Sequence, residues 1–197
     1  MLLPLVILIP LAGAWLPAAL SRAFGIDPAR TAAALVVVAL AIVLGQAPAV
    51  LDGATFVQAW PWIPALGLNA SFRLDGFGLL FALLILVIGL LVVLYARYYL
   101  APEDSKERFY GLLLLFMGAM LGVVLSENLL LLVTFWELTS LSSFLLIGFW
   151  RHEADARRGA RLALMITGAG GLALLAGVLL LGQVVGSFEL TQVLASG

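Results

Sequence analysis

The sequence predicts an all-α polytopic membrane protein with about six transmembrane helices and both termini outside. Of its 197 residues, 64% are hydrophobic and 11% are charged, and the mean hydropathy is +1.18. Soluble domains carry about twice this charge and much less apolar surface. Six apolar stretches are each long enough to cross a hydrocarbon core of about 30 Å at about 1.5 Å per helical residue. None of them alternates as a strand does, and backbone groups in lipid must be satisfied within their own segment, so all six are predicted to be helices.

The six predicted spans are joined by mostly short connections. The first has no basic residue ahead of its apolar core, so it is interpreted as a retained helix and not as a secretory signal. Its prolines at positions 4, 10 and 17 are acceptable if neighbouring helices satisfy the freed carbonyl groups. The fourth and fifth spans meet around Glu127 in a tight helical hairpin. The predicted spans cover about residues 2–20, 30–48, 76–97, 109–126, 128–150 and 160–184.

The basic residues predict the orientation of the chain. Nine of the ten fall on one side of the predicted arrangement, and only Arg73 falls on the side of the two termini. The nine are Arg22, Arg30, Arg97, Lys106, Arg108, Arg151, Arg157, Arg158 and Arg161. Because basic residues are enriched on the cytoplasmic side, both termini are expected to face outward.

The connection over residues 49–75 is the one long connection, and it is predicted to form an outer interfacial loop. Trp60 and Trp62, with the prolines beside them, suit a membrane interface. From Leu68 to Asp75 apolar and polar residues alternate strictly, which is the period of a half-buried strand. With the extended segment before it, this strand could form a short β-hairpin; the alternative is a loop fixed by its tryptophans. The whole chain, 1–197, is expected to form a single membrane domain.

Glu137 is the one ionisable residue deep within a predicted span. It lies near the middle of the fifth helix, where a charge costs roughly 2.5 to 3.5 kcal/mol on insertion scales. Loss of water favours the neutral form of a carboxyl group and a nearby cation favours the ion, so a movable cation could load and unload a proton. Thr134 and Ser140 lie three residues away, within about 60° of Glu137 on the helix, and their hydroxyls could hold water. We therefore expect these three residues to handle protons or ions on a helix enclosed by others; the alternative is that Glu137 accepts an interhelical hydrogen bond only.

Three further ionisable residues are weaker candidates. Glu127 lies at the tip of the outer helical hairpin, where a solvated carboxylate is expected and a role where ions enter is the alternative. Asp75 opens the third predicted helix and is most simply a favourable anion at a helix N-terminus. His152 follows the fifth span at the inner surface, where it is expected to be solvated, with proton exit as the alternative.

Composition excludes several classes of function. The chain has no cysteine and one histidine, which excludes disulfides, thiol ligands, a histidine cluster for a metal and a histidine-based triad. A net charge of −1 without a basic run argues against nucleic acid as a partner. No cofactor is expected, and the spans lack the paired side chains of an intramembrane enzyme.

Several long segments resemble the antiporter-like membrane subunits shared by respiratory complex I and Mrp-type cation/proton antiporters. The strongest is 128–150, which resembles the fifth helix of these subunits, and its Thr-Ser-Leu-Ser-Ser run over 139–143 is similar to the A-type subunit of Mrp antiporters. The segments 72–76 and 108–122 and the glycine-rich sixth span also match. The resemblance implies a multisubunit complex in the bacterial cell membrane and a proton or cation path in which Glu137 pairs with a lysine on the next helix. No predicted helix of this chain contains a lysine, since its one lysine is Lys106, and the resemblance therefore implies the N-terminal part of a longer protein.

Three hypotheses about function remain open. The leading one is part of a Na⁺/H⁺ antiporter complex driven by the proton-motive force, with H⁺, Na⁺, other subunits and the lipid bilayer as partners. The second is a proton-pumping subunit of a complex I-like or membrane-bound hydrogenase complex. The third is a structural or assembly subunit without an ion path of its own. Dependence of transport on Na⁺ distinguishes the first from the second, and insensitivity to replacement of Glu137 would indicate the third.

Overall fold

The computed structural model describes residues 3–196, which form a helical bundle with one β-hairpin. Five of its helices are long and apolar enough to cross a membrane, and α1 and α2 together make a sixth candidate span. The elements are α1 (Leu3–Gly13), α2 (Leu16–Phe24), α3 (Pro28–Leu51), β1 (Phe56–Ile63), β2 (Leu68–Leu74), α4 (Gly76–Tyr99), α5 (Lys106–Leu125), α6 (Leu129–Ile147), α7 (Ala154–Val185) and α8 (Leu190–Ala195). The all-α class with about six candidate spans agrees with the prediction.

The first predicted span is broken, so the prediction of one helix over 2–20 is wrong. Helices α1 and α2 meet at an angle of 54°. Pro17 lies in the first turn of α2. A proline ring collides with the carbonyl group four residues earlier, which here belongs to Gly13, the last residue of α1. Pro10 lies inside α1 without breaking it, so a proline alone does not end this helix. The break falls at the turn of Ala14 and Trp15, directly before the first turn of α2 that contains Pro17.

The other spans differ from the prediction at their ends. Helix α7 has 32 residues and begins at Ala154, six residues before the predicted start. Helix α5 begins at Lys106, so the expectation that no helix contains the lysine is wrong for this first position. Helix α6 ends at Ile147 because the backbone turns at Gly148. Helix α8 was not predicted, since its six residues are too short to show a helical period.

The tightest core lies among α1, α3, α4 and α5. Val36, Val43, Leu86 and Leu114 are fully buried there. Helix α6 packs against α5, and α7 packs against the far side of α6. Only four of the 32 residues of α7 are buried, so α6 and α7 form an open edge of the bundle.

Side-chain contacts identify one end of the bundle, which we call the arginine-rich end. Arg97 pairs with Asp27 at 3.2 Å, and Ser21 Oγ donates to Glu107 Oε1 at 3.2 Å. The Trp150 indole N–H donates to Asp104 Oδ1 at 2.9 Å. These contacts bring the α2–α3, α4–α5 and α6–α7 connections together, and with them the nine basic residues that the sequence places on one side. Which membrane surface this end faces stays a prediction.

The opposite end, which we call the hairpin end, carries β1 and β2. The two strands pair antiparallel, with Phe56 opposite Leu74 and Trp60 opposite Ala70. The strand predicted from alternation is therefore present, but it is more than half-buried, because Ser71 and Phe72 on opposite sides are both buried. The connection between α5 and α6 covers it, and the Glu127 N–H donates to the Ser71 carbonyl at 2.9 Å.

Candidate functional site

Glu137 is the ninth of the 19 residues of α6, so it lies near the middle of a membrane-spanning helix as predicted. Its side chain is exposed on the surface of the described chain. Within residues 3–196, α5 and α7 pack against α6 but leave this side chain exposed, so the expectation that other helices enclose it stays a prediction. The polar pattern of α6 predicts the position of the carboxylate along the helix axis, but it does not show which neighbouring helices cover each side of α6.

The Glu137 side chain lies against α7 at Gly171. A Cβ atom at Gly171 would overlap Glu137 Oε1 and would come within 2.9 Å of its Cδ. The same Cβ atom would come within 3.3 Å of the Trp136 ring. Gly171 therefore provides the space that the carboxylate occupies, a role that the glycine-rich pattern of this helix does not predict.

Thr134 and Ser140 do not hydrogen-bond to Glu137. The Thr134 hydroxyl donates to the Leu130 carbonyl at 2.9 Å, and the Ser140 hydroxyl donates to the Trp136 carbonyl at 3.3 Å. Thr134 is exposed, whereas Ser140 is 4% exposed. Within residues 3–196, Glu137 itself has neither a hydrogen-bond partner nor an ion-pair partner. Within this chain, the site therefore consists of the Glu137 carboxylate at mid-span, which borders Gly171, and the Thr134 hydroxyl on the exposed side of the helix.

Glu127 differs from Glu137 both in exposure and in its partners. The expectation that Glu127 is solvated is wrong. It is 3% exposed, and its Oε1 accepts hydrogen bonds from both the backbone N–H, at 2.8 Å, and the hydroxyl of Thr191. Its Oε2 lies 3.8 Å from Arg73 Nη1. The chain after α7 folds back over the helical hairpin, with the Leu190 N–H donating to the Glu127 carbonyl at 2.7 Å, and this removes Glu127 from water.

Glu189 is a second carboxylate at the hairpin end, and no pattern in the sequence predicts its role. It accepts hydrogen bonds from the side chains of Asn69 at 2.8 Å, Ser71 at 2.7 Å and Asn128 at 2.9 Å. The alternation of β2 predicts that Asn69 and Ser71 share a face, but it gives no sign that a residue about 120 positions later binds them. The Glu127 and Glu189 contacts together form what we call the hairpin-end network.

Asp75 caps α4, which agrees with its predicted place at a helix N-terminus. Its Oδ1 accepts a hydrogen bond from the Gly78 N–H at 2.9 Å, and its Oδ2 accepts one from Arg73 Nε at 2.9 Å. Partial burial by itself would raise the pKa of Asp75, but the hydrogen bond from Gly78 and the charge and hydrogen bond of Arg73 outweigh burial and lower that pKa. Asp75 is therefore a stable anion that supports the hairpin end.

His152 lies at the arginine-rich end and is exposed, as expected. Its Nε2 is 3.5 Å from Glu153 Oε1. It has no contact with Glu137, so the structure does not bring these two candidates together. Across residues 3–196, no group of three or more His, Asp or Glu side chains could hold a metal ion.

Two family models match the chain. The model described as NADH-Ubiquinone oxidoreductase (complex I), chain 5 N-terminus matches residues 60–110, and the model described as NADH:quinone oxidoreductase/Mrp antiporter, TM matches residues 126–196. The second match contains the whole of α6, including Glu137, and the whole of α7, including Gly171. The chain belongs to the complex I and Mrp antiporter family of membrane subunits. It is a multi-pass protein of the bacterial cell membrane.

Curated relatives are antiporter subunits. The chain is 56% identical over 166 residues to the probable K⁺/H⁺ antiporter A/B subunit of Rhizobium meliloti (strain 1021), an alignment over 84% of this chain and 17% of the relative. It is 52% identical over 140 residues to the Na⁺/H⁺ antiporter A1 subunit of Staphylococcus aureus (strain JH9), over 71% of this chain and 18% of the relative. The chain thus spans less than a fifth of the length of these relatives.

Solved structures of the family share this fold. The Mrp complex from Dietzia sp. DQ12-45-1b matches with a TM-score of 0.85 and 29% identity, over 98% of this chain and 21% of the matched chain. Respiratory complex I from Thermus thermophilus matches with a TM-score of 0.79 and 26% identity, over 98% of this chain and 39% of the matched chain. The resemblance stated from the sequence is confirmed.

Proposed function

We propose that this chain is part of a Na⁺/H⁺ antiporter complex driven by the proton-motive force, with Glu137 as its intramembrane proton-handling carboxylate. The observation that carries the proposal is the position of Glu137: mid-span, exposed at the open edge of the bundle and without a partner in residues 3–196. The relatives named as Na⁺/H⁺ and K⁺/H⁺ antiporter subunits support the reaction class.

The energetic cost of Glu137 requires compensation from outside the described residues. A charge at the bilayer centre costs roughly 2.5 to 3.5 kcal/mol on insertion scales. A carboxylate that faced lipid permanently would destabilise the protein without any compensating interaction. We infer that the chain forms a single membrane domain in the N-terminal part of a longer protein, and that further helices pack over the edge formed by α6 and α7.

Proton handling requires that the environment of the carboxylate can change. Loss of water favours the neutral carboxylic acid, and an approaching cation favours the carboxylate. Helix α7 contains no lysine, and the residue it places against Glu137 is Gly171. The cation that exchanges with the proton, or the lysine that the family resemblance implies, therefore approaches from the exposed side of α6, where the Thr134 hydroxyl can accept a hydrogen bond from water.

Under this proposal the three weaker candidates have different roles. Glu127 and Asp75 already have cationic and hydrogen-bonding partners, so we assign them to support of the hairpin end and not to the ion path. His152 stays a candidate for proton exit, because it is exposed at the end that the sequence predicts to be cytoplasmic.

The test is cation-driven proton movement in inverted membrane vesicles that contain the whole assembly. Native protein is compared with Glu137→Gln, and Glu103→Gln is the matched control because Glu103 is exposed in the α4–α5 connection. We expect Glu137→Gln to abolish exchange while the complex assembles normally, and Glu103→Gln to exchange like native protein. Addition of Na⁺ and K⁺ separately identifies the cation, which differs between the two named relatives.

Two results would contradict the proposal. Undiminished exchange by Glu137→Gln would leave the chain with a structural or assembly role. Proton movement that responds to electron donors and not to Na⁺ or K⁺ in native vesicles would indicate a complex I-like or hydrogenase-linked pump.

A further inference from the structure

A cavity at the arginine-rich end is bordered by four arginines. It has a volume of about 330 Å³ and lies between the start of α5, the end of α6 and the start of α7. Arg108, Arg151, Arg157 and Arg161 border it, and Phe144 and Leu145 of α6 form part of its apolar wall. We call this cavity the arginine pocket.

The four guanidinium groups lack anionic partners within residues 3–196. Arg157 Nη1 donates to the carbonyls of Arg151 and His152 at 2.6 and 3.1 Å, and Arg161 Nε donates to the Arg157 carbonyl at 3.3 Å. None of the four forms an ion pair with a carboxylate in this part of the chain. An arginine has five N–H donors, so most of the donors around the pocket are available to a ligand.

Of the nearby carboxylates, Asp104 accepts a hydrogen bond from the Trp150 indole, and Glu107 accepts one from Ser21. Glu153 and Asp155, at the start of α7, form no ion pair with the four arginines within residues 3–196. The pocket therefore concentrates four positive charges that no carboxylate contacts in this part of the chain. An anion is the ligand that complements it.

The depth of the pocket in the membrane identifies the kind of anion. The 24 residues of α7 after Arg161 contain no charged side chain and extend about 36 Å at about 1.5 Å per residue, which is enough to cross a hydrocarbon core of about 30 Å. Arg161 is consequently at the edge of the apolar core, at the depth of lipid headgroups. Arg108, the third residue of α5, borders the same pocket and so lies at a similar depth.

We propose that the arginine pocket binds the phosphate of an anionic phospholipid, with the acyl chains against the apolar α6 wall. Guanidinium groups match phosphate oxygens in bidentate geometry, and basic pockets between membrane helices suit anionic headgroups. An apolar wall continuous with an arginine rim fits an amphipathic lipid better than a free ion. This inference does not depend on Glu137 or on the transported cation.

The experiment measures lipid retained by the purified whole complex in mixed phosphatidylcholine and phosphatidylglycerol nanodiscs, by native mass spectrometry. The variants are Arg157→Gln and Arg161→Gln, and the matched control is Arg158→Gln, which removes the same charge from the same helix but does not border the pocket. We expect binding of phosphatidylglycerol to weaken about fivefold to tenfold for each pocket arginine removed and to stay unchanged in Arg158→Gln.

Three results would overturn the proposal. Equal weakening by Arg158→Gln would indicate general surface charge, and displacement of the lipid by millimolar inorganic phosphate would indicate a site for free phosphate. Absence of bound phosphatidylglycerol in a native complex that assembles normally would indicate that another protein segment covers the pocket.

Discussion

Glu127 and Glu137 are ten residues apart on one helical hairpin, yet the two carboxylates differ in burial and in partners. Glu127 is removed from water, accepts two hydrogen bonds from Thr191 and lies 3.8 Å from the Arg73 guanidinium. Glu137 is exposed at mid-span and has no partner in residues 3–196. A buried carboxylate that is hydrogen-bonded through one oxygen and faces an arginine through the other supports structure, and a costly carboxylate without a partner is available for a change of protonation.

The comparison predicts that the two residues fail in different assays. Replacement of Glu127 should reduce the amount of stable complex and leave exchange per assembled complex unchanged. Replacement of Glu137 should leave the amount of stable complex unchanged and reduce exchange per assembled complex. A single variant that lost both properties equally would remove the distinction between a structural and a transporting carboxylate.

Glu127→Ala should give the largest loss of stability. It removes the acceptor for two Thr191 hydrogen bonds and one of the two anions near Arg73, which keeps Asp75. Loss of a buried, charge-assisted contact of this kind costs about 3 kcal/mol. The measurement is the apparent melting temperature of the detergent-solubilised complex by size-exclusion chromatography after heating. Glu103→Ala, in an exposed connection, should melt like native protein; if the two variants melt alike, the hairpin-end network does not stabilise the fold.

Gly171→Ala tests whether the position of Glu137 matters for transport. The added methyl group would occupy the space of the Glu137 carboxylate, so that side chain must move away from α7. Misplacement of a reacting group by about 1 Å can cost about a hundredfold in rate, and we expect a loss of similar size in exchange. Gly170→Ala is the matched control, because a Cβ atom at Gly170 meets nothing within 4 Å.

The two alanine variants gain the same helix propensity, so their difference reports the contacts of position 171 with Glu137 and, less tightly, with Trp136. Exchange is measured in the same inverted vesicles, at equal amounts of assembled complex. Native exchange by Gly171→Ala would mean that the carboxylate does not need its place against α7.

The sequence predicts position along the membrane normal much better than it predicts neighbours. The spans are predictable because lipid requires about 20 apolar residues in a helix whatever surrounds them. The break before Pro17 was not predictable, because Pro10 is accommodated within the same apolar stretch. The burial of Glu127 depends on Thr191, 64 residues later, and helical or strand periodicity cannot report such a contact. The exposure of Glu137 was missed for the same reason, since a polar pattern on α6 does not show which helices cover it.

Asp75→Asn should give the smallest effect and the clearest pH dependence. An asparagine can still accept the hydrogen bond from the Gly78 N–H, so the variant loses mainly the charge interaction with Arg73, worth about 0.5 to 1 kcal/mol for a partly exposed pair. Burial raises the pKa of Asp75, but the Gly78 hydrogen bond and Arg73 bring it below its ordinary value of 3.8. A carboxyl group whose pKa is lowered by folding stabilises the folded state fully above its unfolded pKa, and this contribution disappears as the pH falls through the folded pKa. Native protein should therefore melt slightly higher than Asp75→Asn at neutral pH, and the two melting temperatures should converge below about pH 3.8. A difference that persisted in acid would mean that shape, and not charge, makes Asp75 the better cap of α4.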